Sequence, residues 1–399
     1  MYFKKLTSVL LVVVLSTMSF AQDKGIQFEH NSTWNELLAK AKAQNKLIFV
    51  DAFTTWCGPC KWMAKNVFTN DTVADYYNRT FVCAKIDMEK GEGIELAKKY
   101  GVRNYPTLMY INADGELMHR TCGVNYNGPA CRKFIQDGKD ALDPDKQLAA
   151  FTKKFDSGKM EASAVPSYLY MLKNGCMNAD AASAKYLGTQ AEKDLSSRSN
   201  WTIIRDFVND DGSKEFNYLV NNSEAFTKLY TKDSVETKIS DVYKSALISK
   251  IRGNDDKGYE TLKAKVNSLK NINGEKITSY SDMSLYKYKK NWAAYSPVAF
   301  AYIDRYANND ATLINSIAWT IYENVDEKAV LEKAAAFSKH STELNDNYAF
   351  NDTYACLLYK SGKKEEAVKA AEHAIDLAKK SNEDYKSTQE LLDKIKMLK

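Results

Sequence analysis

The run Trp56-Cys57-Gly58-Pro59-Cys60-Lys61 constrains the fold of this chain more than any other feature. Thiols three positions apart share one face only if the segment between them turns as a helix does. Pro59 suits the first turn of such a helix, where its missing N–H is no loss. Upstream, the apolar run Leu47-Ile48-Phe49-Val50 carries an acid, Asp51, and continues to Phe53. A short, nearly continuous apolar stretch over 46–53 predicts a strand buried on both faces. The local unit is a buried strand containing an acid, a short loop, and a helix that opens on a dithiol.

That unit carries its own chemistry. A thiol is a weak nucleophile until it ionises, with an unperturbed pKa of about 8.5. At a helix start the macrodipole and free backbone N–H groups stabilise the thiolate. Lys61 and the N–H groups of Gly58 and Cys60 add to this. Cys57 is therefore the expected nucleophile toward a disulfide, and Cys60, one turn deeper, the expected resolving thiol. Asp51, set among Phe49, Val50, Ala52 and Phe53, is expected to have a raised pKa and to accept the proton of Cys60. Zinc is the rival use of such a motif, but a structural zinc site needs four ligands. The remaining cysteines (83, 122, 131, 176, 356) do not repeat the spacing, and His30, His119, His340 and His373 are scattered. No metal and no cofactor is expected.

The 399 residues suggest two or three domains, and 44% apolar with 27% charged residues is ordinary for a globular chain. A net charge of +5 without a basic run gives no sign of a nucleic-acid partner. Residues 1–21 read as a secretion signal: Lys4 and Lys5, an apolar core from Leu6 to Leu15, and Ser19-Phe20-Ala21 before a cleavage at Gln22. The apolar core is short for a span of ~20 residues. The expected location is therefore outside the cytoplasm, in the periplasm, where disulfides persist.

From 22 to 142 strands and helices alternate. Thr33-Trp34-Asn35-Glu36 has capping-box spacing before a helix. Further helices are expected from Cys57, over Asp71–Tyr77, over Gly93–Tyr100 ending at Gly101, and from about Gly128 to Leu142. Strands are expected over Phe81–Asp87 and over Thr107–Ile111 and Glu116–Arg120, the last two joined by an Asp114-Gly115 hairpin. Asp143-Pro144-Asp145 breaks the pattern and is the expected domain boundary. Residues 146–399 read as all-helical. Asn315–Trp319 and Asp352–Cys356 each read as the start of a helix pair. Tyr280, Tyr286, Tyr288, Trp292 and Tyr295 recur at helical spacing, which predicts core more than a groove.

Asp51 before Trp56-Cys57-Gly58-Pro59-Cys60, then Val67-Phe68, Asp71-Thr72-Val73, Tyr100-Gly101-Val102 and Tyr105-Pro106-Thr107, resembles the thioredoxin family. Within it the likeness is to the soluble C-terminal domain of periplasmic thiol–disulfide reductases. The later segment Leu357–Val368 with Ala374–Leu377 resembles a tetratricopeptide repeat, with helix pairs at about 311–380. The implied architecture is an α/β thioredoxin fold, a mixed sheet flanked by helices, followed by an all-α, tetratricopeptide-like domain over 146–399. The resemblance implies a cis bond before Pro106 beside the thiols. It also implies substrate contacts from Trp56, Gly58, Pro59, Tyr105 and Pro106. Trp62, inside the helix, reads as core.

The same resemblance implies a lysine near the buried acid. Cys83 occupies the position expected for it, and Lys85 is off in strand parity or one pleat further on, which puts lysine tuning of Asp51 in doubt. Cys122 and Cys131 could bridge the connecting loop, while Cys176 and Cys356 read as helix-core residues. The implied activity is that of an exported thiol–disulfide oxidoreductase that reduces or exchanges protein disulfides. The Gly-Pro pair favours the reducing direction, with electrons from an unnamed donor, a membrane protein among the candidates. The helical part would bind partners or self-associate. The competing reading is a protein-binding or chaperone module in which the helical array is functional and the other domain a scaffold.

Overall fold

The computed structural model describes residues 25–124, 126 and 128–397. The expected secretion signal at 1–21 lies outside them. The first compact unit begins with α1 (Trp34–Gln44). It is closed by the expected reciprocal cap: the Glu36 N–H donates to Thr33 Oγ1 (3.3 Å) and the Thr33 N–H to the Glu36 carboxylate (2.8 Å). The chain continues through β1 (Ile48–Phe53), α2 (Gly58–Asn66), α3 (Asp71–Thr80), β2 (Val82–Asp87), α4 (Gly93–Lys99), β3 (Thr107–Ile111), β4 (Leu117–Cys122) and α5 (Ala130–Leu142). The sheet runs β2-β1-β3-β4, with β1 parallel to β2 and antiparallel to β3. Gly115, at φ +79°, supplies the left-handed residue of the β3–β4 turn. This is the mixed sheet covered on both faces that the resemblance implies.

Strand parity sorts the core into two layers. Ile48, Val50 and Ala52 pack with Trp34 and Leu37 of α1 and Leu96 of α4. Phe49, of opposite parity, packs with Met63 of α2, Val67 just beyond it, Tyr77 of α3 and Phe134 of α5. Asp51 has the parity of Phe49 and so faces the layer that holds α2. Tyr77 fastens that layer. Its ring stacks on Phe134 at 4.1 Å, its hydroxyl donates to the Phe134 carbonyl (2.7 Å), and it lies 2.6 Å from the Tyr110 hydroxyl.

The break at Asp143-Pro144-Asp145 is the turn between α5 and α6 (Leu148–Asp156). α6, α7 (Val165–Asn174) and α8 (Ala179–Leu187) belong to the same compact unit as the sheet. Both α6 and α7 pack on β4. Gly175, at the end of α7, lies tight against that contact: a Cβ there would come within 3.2 Å of the Arg120 carbonyl oxygen. A bridge between Cys122 and Cys131, which the sequence left open, is not formed. Cys122 is bonded to Cys176, Cα to Cα 6.0 Å, and Cys131 is a free, half-buried thiol. Cys176 is thus not a helix-core residue; it is exposed, just beyond α7. The pairing joins segments far apart in sequence, which loop length alone could not reveal. Cys356 is buried in its helix as expected.

The second unit comprises Ala191–Ser196 and the chain from Ile204. Its regular elements, among the described residues, are helical. Its last pairs are Ala311–Asn324 with Lys328–Leu344 and Tyr348–Lys360 with Lys364–Ser381, followed by Lys386–Met397. The first helix of each pair starts one turn earlier than the sequence reading placed it. The reason is a cap: Asp310 and Asn347 accept the N–H groups of Leu313 and Phe350. Alanines at the contact, Ala318, Ala334, Ala335, Ala355, Ala367 and Ala371, let these helices approach closely around Ile314, Ile317, Ile321 and Leu331. Tyr295 is buried and Tyr280, Tyr286 and Trp292 pack against this core, whereas Tyr288 is exposed.

Candidate active site

β1 ends at Phe53, and a loop of three residues leads to Cys57, the N-cap of α2. The cap makes the local chemistry. Cys57 has extended backbone (φ −66°, ψ 106°), and its Sγ accepts the N–H of Cys60 at 3.0 Å, the place an oxygen takes in an ordinary N-cap. Pro59 sits in the first turn, as expected. Cys57 and Cys60 are joined as a disulfide with Cα atoms 5.3 Å apart. Both are almost wholly buried, at 2% and 3% exposure, while Gly58 between them is exposed and Pro59 half-buried. The Cα spacing shows that one helical turn brings the two sulfurs within bonding range.

Across the entrance lies Trp56, 64% exposed. Its indole N–H donates to both carboxylate oxygens of Glu89, at 3.1 and 3.0 Å. Tyr105 meets the Trp56 ring edge-on at 5.9 Å. The Tyr105–Pro106 bond is cis, as the resemblance implies, and Pro106 is buried. Trp62, by contrast, is half-buried against the α2 layer and meets Tyr126 edge-on at 5.1 Å.

Asp51 is fully buried, and neither carboxylate oxygen has a hydrogen-bond partner among the described residues. Burial raises its pKa from 3.8 to about 6, against the opposing pull of Lys85. The register settles the doubt over Lys85. Lys85 does reach the acid: the parallel register pairs Lys85 with Asp51, and its Nζ lies 3.5 Å from Asp51 Oδ2. Lys85 is one pleat beyond Cys83, on the same face of β2, and Phe53 lies under its ammonium at 5.0 Å. Cys83 is a buried core thiol whose pKa burial pushes up to about 12, so it is inert at neutral pH. Glu89 escaped the sequence reading as well, because only the fold brings it to the indole.

Among the described residues, no group of three or more His, Cys, Asp or Glu side chains is arranged to hold a metal ion. No helix there is long and apolar enough to cross a membrane.

Comparison with known proteins agrees with this geometry. The Thioredoxin family model matches residues 25–135. Thioredoxin H4 of Arabidopsis thaliana is 36% identical over 95 residues, 24% of this chain and 75% of that protein. The thiol:disulfide interchange protein DsbD of Vibrio cholerae is 36% identical over 105 residues, which is 25% of this chain and 17% of that much longer one. A solution structure of a proposed disulphide isomerase from Bacteroides thetaiotaomicron shares 49% identity over 31% of this chain and 98% of its own, with a TM-score of 0.28. By its matched relatives and its buried dithiol motif, this chain belongs to the thioredoxin family of thiol–disulfide oxidoreductases.

Proposed function

We propose that the protein is exported to the periplasm and there reduces or exchanges disulfides of other proteins through Cys57 and Cys60. The observation that carries this reading is the cap at Cys57. In the reduced protein the N–H now donating to its sulfur would donate to a thiolate instead, a charge-assisted bond that lowers the thiol pKa. The Cys57 thiolate attacks one sulfur of a substrate disulfide, and the other substrate sulfur leaves. Cys60 then attacks Cys57, frees the substrate as a dithiol and restores the internal disulfide. Asp51 accepts the Cys60 proton in that second step, since a carboxyl with a pKa of about 6 is largely ionised at neutral pH and close enough to neutrality to return the proton.

Trp56, Gly58, Pro59, Tyr105 and Pro106 form the surface that meets the substrate chain. The exposed indole offers apolar area whose orientation Glu89 fixes. The Gly-Pro pair between the thiols supports the reducing direction, with electrons supplied by a donor that re-reduces Cys57–Cys60, and the helical part serves partner binding. The test is turnover of a disulfide-bonded protein such as insulin. Cys57→Ala is expected to abolish it, and Cys60→Ser to accumulate mixed disulfides with clients. Full turnover by Cys57→Ala would refute the assignment.

A further inference from the structure

The second disulfide has features that a purely structural staple does not need. Cys122 ends β4 and pairs in register with Thr107, the residue after Pro106. The N–H of the next residue, Gly123, donates to the Pro106 carbonyl at 2.9 Å. Cys122 therefore sits at the end of the sheet where the cis-proline loop lies, two strands from β1. It also lines a groove of about 280 Å³ with Met63, Leu108, Val124, Lys133 and Phe134. Met63 belongs to α2, one turn beyond Cys60.

The two sulfur-bearing residues differ in setting. Cys122 is half-buried, while Cys176 is exposed. Cys176 also adopts φ +52°, a left-handed conformation that glycine or asparagine usually takes at a helix end. Gly175 is the C-cap of α7 at φ −83°, and the cysteine after it takes the left-handed turn. Cys176 thus belongs to an exposed, conformationally costly turn, and Cys122 faces a groove in which Lys133 is ion-paired with Asp137 at 2.9 Å.

From this we infer that Cys122–Cys176 is a second thiol–disulfide exchange site, attacked at Cys176, whose co-substrate is a vicinal dithiol. One thiolate of the dithiol attacks Cys176 Sγ, the Cys122–Cys176 bond breaks, and Cys122 leaves as a thiolate. Cys122, the less exposed of the two, leaves into the groove beside the Lys133–Asp137 ion pair. The second thiol of the attacker, on losing its proton, displaces Cys176. Two electrons pass in all: the attacker ends as a disulfide, and Cys122 and Cys176 end as thiols carrying the two protons given up by the attacker.

The inference does not depend on the roles proposed for Cys57 and Cys60, whose state is read from separate peptides in the same experiment. Oxidised full-length protein is exposed to dithiothreitol or to reduced glutathione under native conditions, quenched in acid, alkylated and mapped by mass spectrometry. The same is done in unfolding urea. Native opening of Cys122–Cys176 by dithiothreitol is expected at a rate within tenfold of the unfolded chain, with the glutathione adduct trapped on Cys176. Native opening more than tenfold slower, or glutathione carried on Cys122, would overturn the inference.

Discussion

Replacing Asp51 by Asn tests the electrostatic centre of the site. Burial raises the carboxyl pKa from 3.8 to about 6 in the folded protein. Between those values the folded state binds more protons than the unfolded one, so stability falls as pH rises through the window. The penalty is absent below the unfolded pKa and complete above the folded one. Its full size is about 2 pH units at 1.36 kcal/mol each, or roughly 3 kcal/mol. About 2 kcal/mol of this falls between about pH 4.5 and about pH 7.5. Asn keeps the shape and has no charge to desolvate. Whatever its buried amide costs is independent of pH, so it cancels when wild type and variant are compared at both ends. The assay is hydrogen exchange of the slowest β1 and β3 amides in the oxidised whole protein, corrected for intrinsic rates. The ratio of Asp51→Asn to wild-type protection should rise by roughly 30-fold over that interval, which is the factor for about 2 kcal/mol. A ratio constant across the interval would show that Asp51 titrates normally, and the proton-acceptor role would fall with it.

Three further outcomes follow from the same geometry. Lys85→Met removes the cation that draws the Asp51 pKa down, so the carboxyl titration, followed by infrared spectroscopy, should move above about 6; a downward move would contradict the pairing. Tyr77→Phe leaves the Phe134 carbonyl without its donor and removes the Tyr110 partner, and should lower stability by about 1–3 kcal/mol in the same exchange assay. Trp56→Ala, at an exposed position, should change stability by no more than about 0.5 kcal/mol while raising KM for protein disulfides; an unchanged KM would remove Trp56 from the substrate surface.

The alternation of elements, the capping box and the hairpin were legible because each rests on contacts within a few residues. The same is true of the dithiol at the start of α2. What the sequence did not show was set by pairing between distant segments. Lys85 meets Asp51 only through the parallel register of β1 and β2, and counting from the end of a strand misses it by one pleat. Cys122 finds Cys176 because α7 packs across β4 with Gly175 against Arg120, a contact that residue spacing does not encode. Glu89 reaches Trp56 from the loop after β2, for the same reason. The caps at Asp310 and Asn347 were local and readable, but the starts were read from the matching segments Asn315–Trp319 and Asp352–Cys356, one turn too far along.

The coupling between Asp51 and the dithiol has a consequence for the reduction potential. The pKa of about 6 belongs to the oxidised protein, in which Cys57 and Cys60 carry no charge. In the proposed mechanism, reduction places a thiolate on Cys57, at the start of the helix that packs on the face Asp51 shares. A second negative charge disfavours the carboxylate, so the pKa of Asp51 must be higher in the reduced protein than in the oxidised one. Reduction then draws in an extra proton at pH values between the two, and the pair titrates as one system. For a two-electron couple each proton taken up steepens the fall of potential with pH by about 30 mV per unit. The wild-type potential, measured against glutathione buffers, should show such a steeper segment beginning near pH 6, and Asp51→Asn should lack it. If the two plots run parallel, carboxylate and thiolate do not sense one another, and the proton leaving Cys60 must travel by another route.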